Sequence, residues 1–205
     1  EANYPVEIDF DADNGRIYEI DNWFSFTSSD IYTVIHSGYP AFHVLLVEAG
    51  LARVKEFRYT FISNNEFYTI FVPNEDTLSS QDFSIMIISE LRNFLLLHFV
   101  RGNLIFTDGF AAPGYYITER VDEKSTPYST INTRIYIEPG YDVITLTAKE
   151  GMNDIEIMES ETSNRLAGVR IEISSEVAYP AMYMYNNAVF HEINQVLKVE
   201  KLVTD

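Results

Sequence analysis

The chain has 205 residues, 46% hydrophobic and 14% aromatic, enough apolar material for one generous domain or two small ones and too much for a disordered chain. Fourteen Lys and Arg against 31 Asp and Glu leave a formal net charge of −17, a field that repels nucleic acid and anionic lipid headgroups and sets nucleic acid aside as a partner. The absence of cysteine excludes disulfides, thiolate metal sites and a cysteine nucleophile.

Apolar runs such as 94–100 are too short to span a bilayer. No Asn-x-Ser/Thr glycan acceptor occurs. The opening residues lack a signal-peptide pattern and read as a mature or trimmed start. Fourteen Tyr and fourteen Phe suit sheets better than helix bundles.

Residues 4–26 alternate, with Val6, Ile8 and Phe10 on one face and Glu7, Asp9 and Asp11 on the other. Asp13-Asn14-Gly15 predicts a turn, and 16–26 a second strand. The polar linker Thr27-Ser28-Ser29-Asp30 marks a domain boundary and offers a helix N-cap before Ile31. Residues 40–49 read as a helix with Phe42, Leu45, Leu46 and Ala49 on one face and Gly50 at the C′ position. Residues 67–72 predict a strand stopped by Pro73, with Asn74 capping a short turn that carries Glu75 and Asp76. The longest helix is expected to start at Ser79 or Ser80 and run to about Leu97, on a stripe of Phe83, Ile87, Ile88, Leu91, Phe94 and Leu95. From Leu104 onward the pattern is β, with strands expected at 134–138, 142–148, 153–158, 168–174 and 189–199. Helices first and strands later predict an α+β fold.

Two strips of the chain are related. Asn14-Gly-Arg-Ile-Tyr-Glu-Ile-Asp-Asn-Trp-Phe24 aligns without gaps on Asn187-Ala-Val-Phe-His-Glu-Ile-Asn-Gln-Val-Leu197, and each follows a Tyr-Pro pair, Tyr4-Pro5 and Tyr179-Pro180. A repeated segment implies a repeated unit. The expected organisation is therefore the closing strands of one domain over 1–27, then a complete copy over 28–205.

These boxes resemble the fasciclin domain family. Tyr68-Thr-Ile-Phe-Val-Pro-Asn74 is similar to its first signature strand, and Asn187–Leu197 to its second, with Asn187, His191, Ile193, Val196 and Leu197 kept and Ala188 and Asn194 departing. Between them the family carries a Tyr-His pair, of which this chain keeps His98 without the Tyr. The helix at 40–49 followed by Gly50-Leu51 also fits. The resemblance covers roughly residues 28–200 and implies a β-wedge or sandwich in which the boxes are neighbouring strands framed by helices, with an enlarged region at 103–186. It makes Thr69, Phe71, Pro73, Asn74, His98, Asn187, His191 and Ile193 framework residues.

Chemical readings are weaker. His191-Glu192 lacks the second histidine at i+4 that a zinc protease needs, since position 195 is Gln and the segment reads as a strand. Asp9, Asp11 and Asp13 have calcium-loop spacing, but Asn14 and Ile20 stand where Gly and a bidentate Glu are required, so a solvated strand face is favoured. His98 is an adhesion epitope by resemblance and a helix-end structural histidine by position. His36 and His43 suggest no partner. No nucleophile elbow or phosphate loop occurs, and nothing places two carboxylates across a cleft as a hydrolase would need.

The expectation is a non-enzymatic, cofactor-free adhesion or protein-interaction module of a tandem surface protein, bacterial, extracellular or attached to the outer membrane through an upstream lipid anchor. Its partner would be a protein or glycan at the cell surface. Leu97, His98, Trp23, Phe24 and Phe26 form the expected interaction surface, the last three packing on the complete domain or on another chain. The rival expectation is a carbohydrate-binding or scaffolding lipoprotein of an outer-membrane nutrient system, using Tyr115, Tyr116, Tyr128 or Tyr141 as aromatic platforms.

Overall fold

A computed structural model describes residues 6–12, 15–20, 29–147, 154–171 and 183–198. Strands β1 (Val6–Ala12) and β2 (Gly15–Ile20) pair antiparallel as a hairpin of their own, with Ala12 opposite Gly15. They form a sheet separate from the main one. Strand β2 covers the positions equivalent to Ala188–Ile193 of the second strip. The proposed boundary falls on residues outside those described.

Helix α1 (Ile31–Gly38) starts where expected, because Asp30 Oδ1 accepts the Thr33 amide at 2.7 Å. Helix α2 (Pro40–Glu48) has its proline in the first turn, where no N–H is missed. It ends in a Schellman closure: Leu51 N–H donates to Leu46 O and Gly50 N–H to Val47 O, with Gly50 at φ +68°. A small ribbon follows, β3 (Ala52–Arg53) and β4 (Arg58–Tyr59), joined through a 3₁₀ turn at Val54–Glu56.

Strand β5 (Tyr68–Pro73) is buried along its whole length. The short helix α3 (Glu75–Ser79) is capped by Asn74, whose Oδ1 accepts the Thr77 amide at 2.9 Å. Helix α4 (Ile88–Leu97) corrects the expected long helix from Ser79 or Ser80. Asp82 intervenes: its carboxylate takes both the Ser84 amide, at 3.0 Å, and the Ser84 hydroxyl, at 2.6 Å, and sets a 3₁₀ turn at Phe83–Ile85. Leu91 and Leu95 are buried, and Phe83 meets Phe94 at 5.3 Å across the break, whereas Ile87 and Ile88 face solvent.

The remaining strands are β6 (Phe99–Arg101), β7 (Gly114–Val121), β8 (Asn132–Gly140), β9 (Val143–Thr147), β10 (Ile155–Met158), β11 (Arg165–Ile171) and β12 (Tyr183–Ile193). Strand β11 starts three residues before the expected Gly168, and β12 is displaced toward the N-terminus of the expected 189–199, ending at Ile193 where β5 also runs out at Pro73. The sheet order is β10-β9-β8-β7-β6-β5-β12-β11, so the fold is α+β. Among the described strands of this sheet every pairing is antiparallel except β5 with β12, which is parallel with Ala188 opposite Tyr68 and Ile193 opposite Pro73.

Alternation along β5 and β12 feeds two cores. Tyr68, Ile70, Val72, Ala188 and Phe190 face the helices and pack with Ile35, Phe42, Leu46 and Leu95. Phe71 and Ile193 face the other way, into a second core with Ile137, Ile144, Ile155 and Ile157 of the β8–β10 meander. The sheet curls over this second core, bringing β10 against β12 although six places separate them in the strand order. No described helix is long and apolar enough to cross a membrane.

Candidate functional site

Thr69, Asn74 and His191 of the two boxes make their hydrogen bonds inside the protein. Thr69 Oγ1 donates to Asn103 O and accepts the Ile105 amide, both at 2.9 Å, tying the segment after β6 to β5. The Asn74 amide donates to Ile193 O at 2.9 Å, closing β5 against the end of β12. His191 stacks on Phe71 at 5.7 Å and is fully buried. Its Nε2 lies 2.8 Å from Ile105 O, which can only accept, and the Asn164 amide approaches Nδ1 at 3.4 Å, which can only donate. The ring is thereby neutral, with the proton on Nε2.

His98 has the mirror arrangement. Nδ1 lies 2.9 Å from Phe94 O, and the Leu197 amide donates to Nε2 at 3.3 Å, so the proton sits on Nδ1. Burial pushes both imidazoles down to about 4, against the pull of their carbonyl partners. His98 therefore ties the end of α4 to the segment after β12, and His191 ties β12 to two loops.

Leu97 and His98 were expected on an interaction surface; in the structure both are buried, which corrects that expectation. Trp23, Phe24 and Phe26 lie outside the described residues. The meander tyrosines divide. Tyr116 packs against the second core. Tyr115 points outward beside Tyr136, their rings edge-to-face at 5.2 Å. Tyr141 is 81% exposed and pairs through its backbone with Asp108, two residues before the 89% exposed Phe110. Phe110 and Tyr141 are thus brought near each other by the Asp108 pairing, Tyr115 sits beside Tyr136 farther along β8, and Tyr128, 99% exposed, caps the β7–β8 hairpin.

A cleft of about 430 Å³ opens beside the start of α1 and the β11–β12 pair, within the size range of small-ligand sites. Tyr32 and Tyr59, ring centroids 5.2 Å apart, are buried at its side. The hydroxyl of Tyr59 is bonded to His43 Nδ1 at 2.8 Å, and burial raises the phenol well above its ordinary range while lowering His43. Phe57, at φ +51° in the left-handed region and 68% exposed, lines the cleft edge-on to Tyr32 at 5.8 Å. Sequence reasoning missed this site. The His36 and His43 rings, 4.8 Å apart, pack against Tyr32 of its wall, and His43 finds the partner that the sequence did not suggest.

The buried carboxyl of Glu119 is pushed up by desolvation, partly offset by the Arg101 guanidinium at 4.0 Å and by a bond from Tyr68. It sits in the β6–β7 seam and is not among the described residues that line the cleft. No protein-family model matches the chain, and no curated protein matches it significantly.

Proposed function

We propose that the chain is a fasciclin-like, non-catalytic interaction module, working at the cell surface or outside the cell and needing no cofactor. The supporting observation is the division of labour between its polar and aromatic side chains. Thr69, Asn74, His98 and His191 are all engaged internally, whereas Phe110, Tyr115 and Tyr141 stand exposed, the first and last brought near each other by the Asp108–Tyr141 pairing. In this reading the two boxes hold the frame, as neighbouring strands of a fasciclin-type wedge, and recognition falls to the meander end. The partner is a protein or glycan; the charge of −17 disfavours nucleic acid. Membrane attachment would run through a lipid anchor upstream.

The test is binding of the immobilised protein to cells and to extracellular proteins. Saturable binding that falls at least tenfold in Phe110→Ser/Tyr141→Ala, with unchanged circular dichroism, is expected. Undiminished binding in that variant would remove the proposal. The rival reading, a carbohydrate-binding or scaffolding lipoprotein of a nutrient system, draws on the same exposed tyrosines. A glycan array separates the two: sugar binding lost in Tyr115→Ala or Tyr141→Ala favours the rival.

A further inference from the structure

The cleft beside α1 has a donor deficit in its wall. Register between β11 and β12 shifts at one point: Ala167 pairs with Ala188, and Gly168 with Asn186, leaving Asn187 as the extra residue of a β-bulge. Bulges re-aim side chains and recur beside binding sites. Asn187 lines the cleft, is 1% exposed, and its Oδ1 has no hydrogen-bond partner. A buried acceptor left unpaired is destabilising, a penalty that a ligand donor would relieve.

The other polar groups define what that ligand is. Glu56 is paired with Arg58 at 2.6 Å, and Asp30 Oδ1 is engaged by the Thr33 amide. Glu56 and Asp30 thus each have a partner within the protein, and among the described residues of the wall the buried side-chain atom left without one is a neutral acceptor, Asn187 Oδ1. Phe57 adds an exposed aromatic face at the rim, held at a positive φ that a bulky side chain rarely adopts.

We propose that this cleft binds a neutral pyranose sugar, with a hydroxyl donating to Asn187 Oδ1 and the C–H face of the ring stacked on Phe57. The site lies on different elements from the meander tyrosines and does not depend on the reading given for them.

The experiment uses the full chain and a panel of methyl pyranosides (gluco, galacto and manno), followed by saturation-transfer NMR and calorimetry. At least one should bind saturably, with its ring C–H protons most strongly saturated. Phe57→Gly relieves the positive φ, keeps the fold, and should weaken binding at least tenfold. Asn187→Leu should do the same, and Ile85→Ser, at an exposed position of the 3₁₀ turn before α4, should leave binding unchanged. Failure of every pyranoside to bind, or binding undiminished in Phe57→Gly, would overturn the assignment. Tighter binding of methylguanidinium than of any pyranoside would overturn it too, by assigning the cleft to a cation.

Discussion

At the residue scale, the two buried histidines act as neutral pins, each held between one carbonyl and one amide. Protonating His98 at Nε2 would set two N–H groups against each other, and the same holds for His191 at Nδ1. The unfolded chain titrates near 6.5, the folded rings near 4. Between those values the unfolded state binds more protons, so stability is fully present above pH 6.5 and falls as pH drops toward 4. Each ring contributes up to about 3 kcal/mol of that loss. Glu119 works in the opposite sense, because its raised carboxyl takes up a proton more readily when folded. The measurement is therefore a difference: urea unfolding of the parent and of His98→Gln from pH 7 to 4.5, where the variant should show a flatter slope. Equal slopes would show that His98 does not titrate as argued. That His191 shares a face with Val189 and Ile193 was legible from strand alternation. Its proton was not, because its partners lie 86 and 27 residues away in sequence.

At the element scale, local chemistry was readable wherever one residue decides the outcome. Asp30 before α1, Pro40 at the start of α2, Gly50 after it and Asn74 before α3 all do what their type predicts. Over 79–97 the apolar spacing continues through a competing cap that interrupts the helix. Phe83 still reaches Phe94, so the stripe was real, but Asp82 and Ser84 divert the backbone that would have joined them. Asn74 has more work than an ordinary cap, since its amide also closes the end of β5 onto Ile193. The Asn74→Ala variant keeps that amide and loses the side-chain acceptor, so its cost should be that of the cap alone, about 1 kcal/mol. Chemical denaturation would show a lower midpoint with an unchanged m value; a loss of several kcal/mol would mean the side chain holds more than α3.

At the scale of the whole molecule, the central joint is the parallel pairing of β5 with β12, which lies between the two cores. Its expected adjacency came from family resemblance; no period or spacing in the chain carries it, because residues 68 and 188 meet only in the fold. The curl that brings β10 to β12 was not legible either, since each meander strand reads simply as half-buried. The joint has a thermodynamic consequence. Phe190 is buried in the helical core and Phe71, opposite His191 on the neighbouring strand, in the meander core. Removing either ring opens a cavity against a strand that both cores share, and each substitution to Ala should cost about 3–5 kcal/mol. Because β5 and β12 cannot leave one core while staying in the other, both variants should unfold in a single transition, with far-UV and near-UV circular dichroism changing together. If Phe71→Ala instead melted the meander first and left the helical signal intact, the two cores would be separate cooperative units, and the shared strands would not couple them.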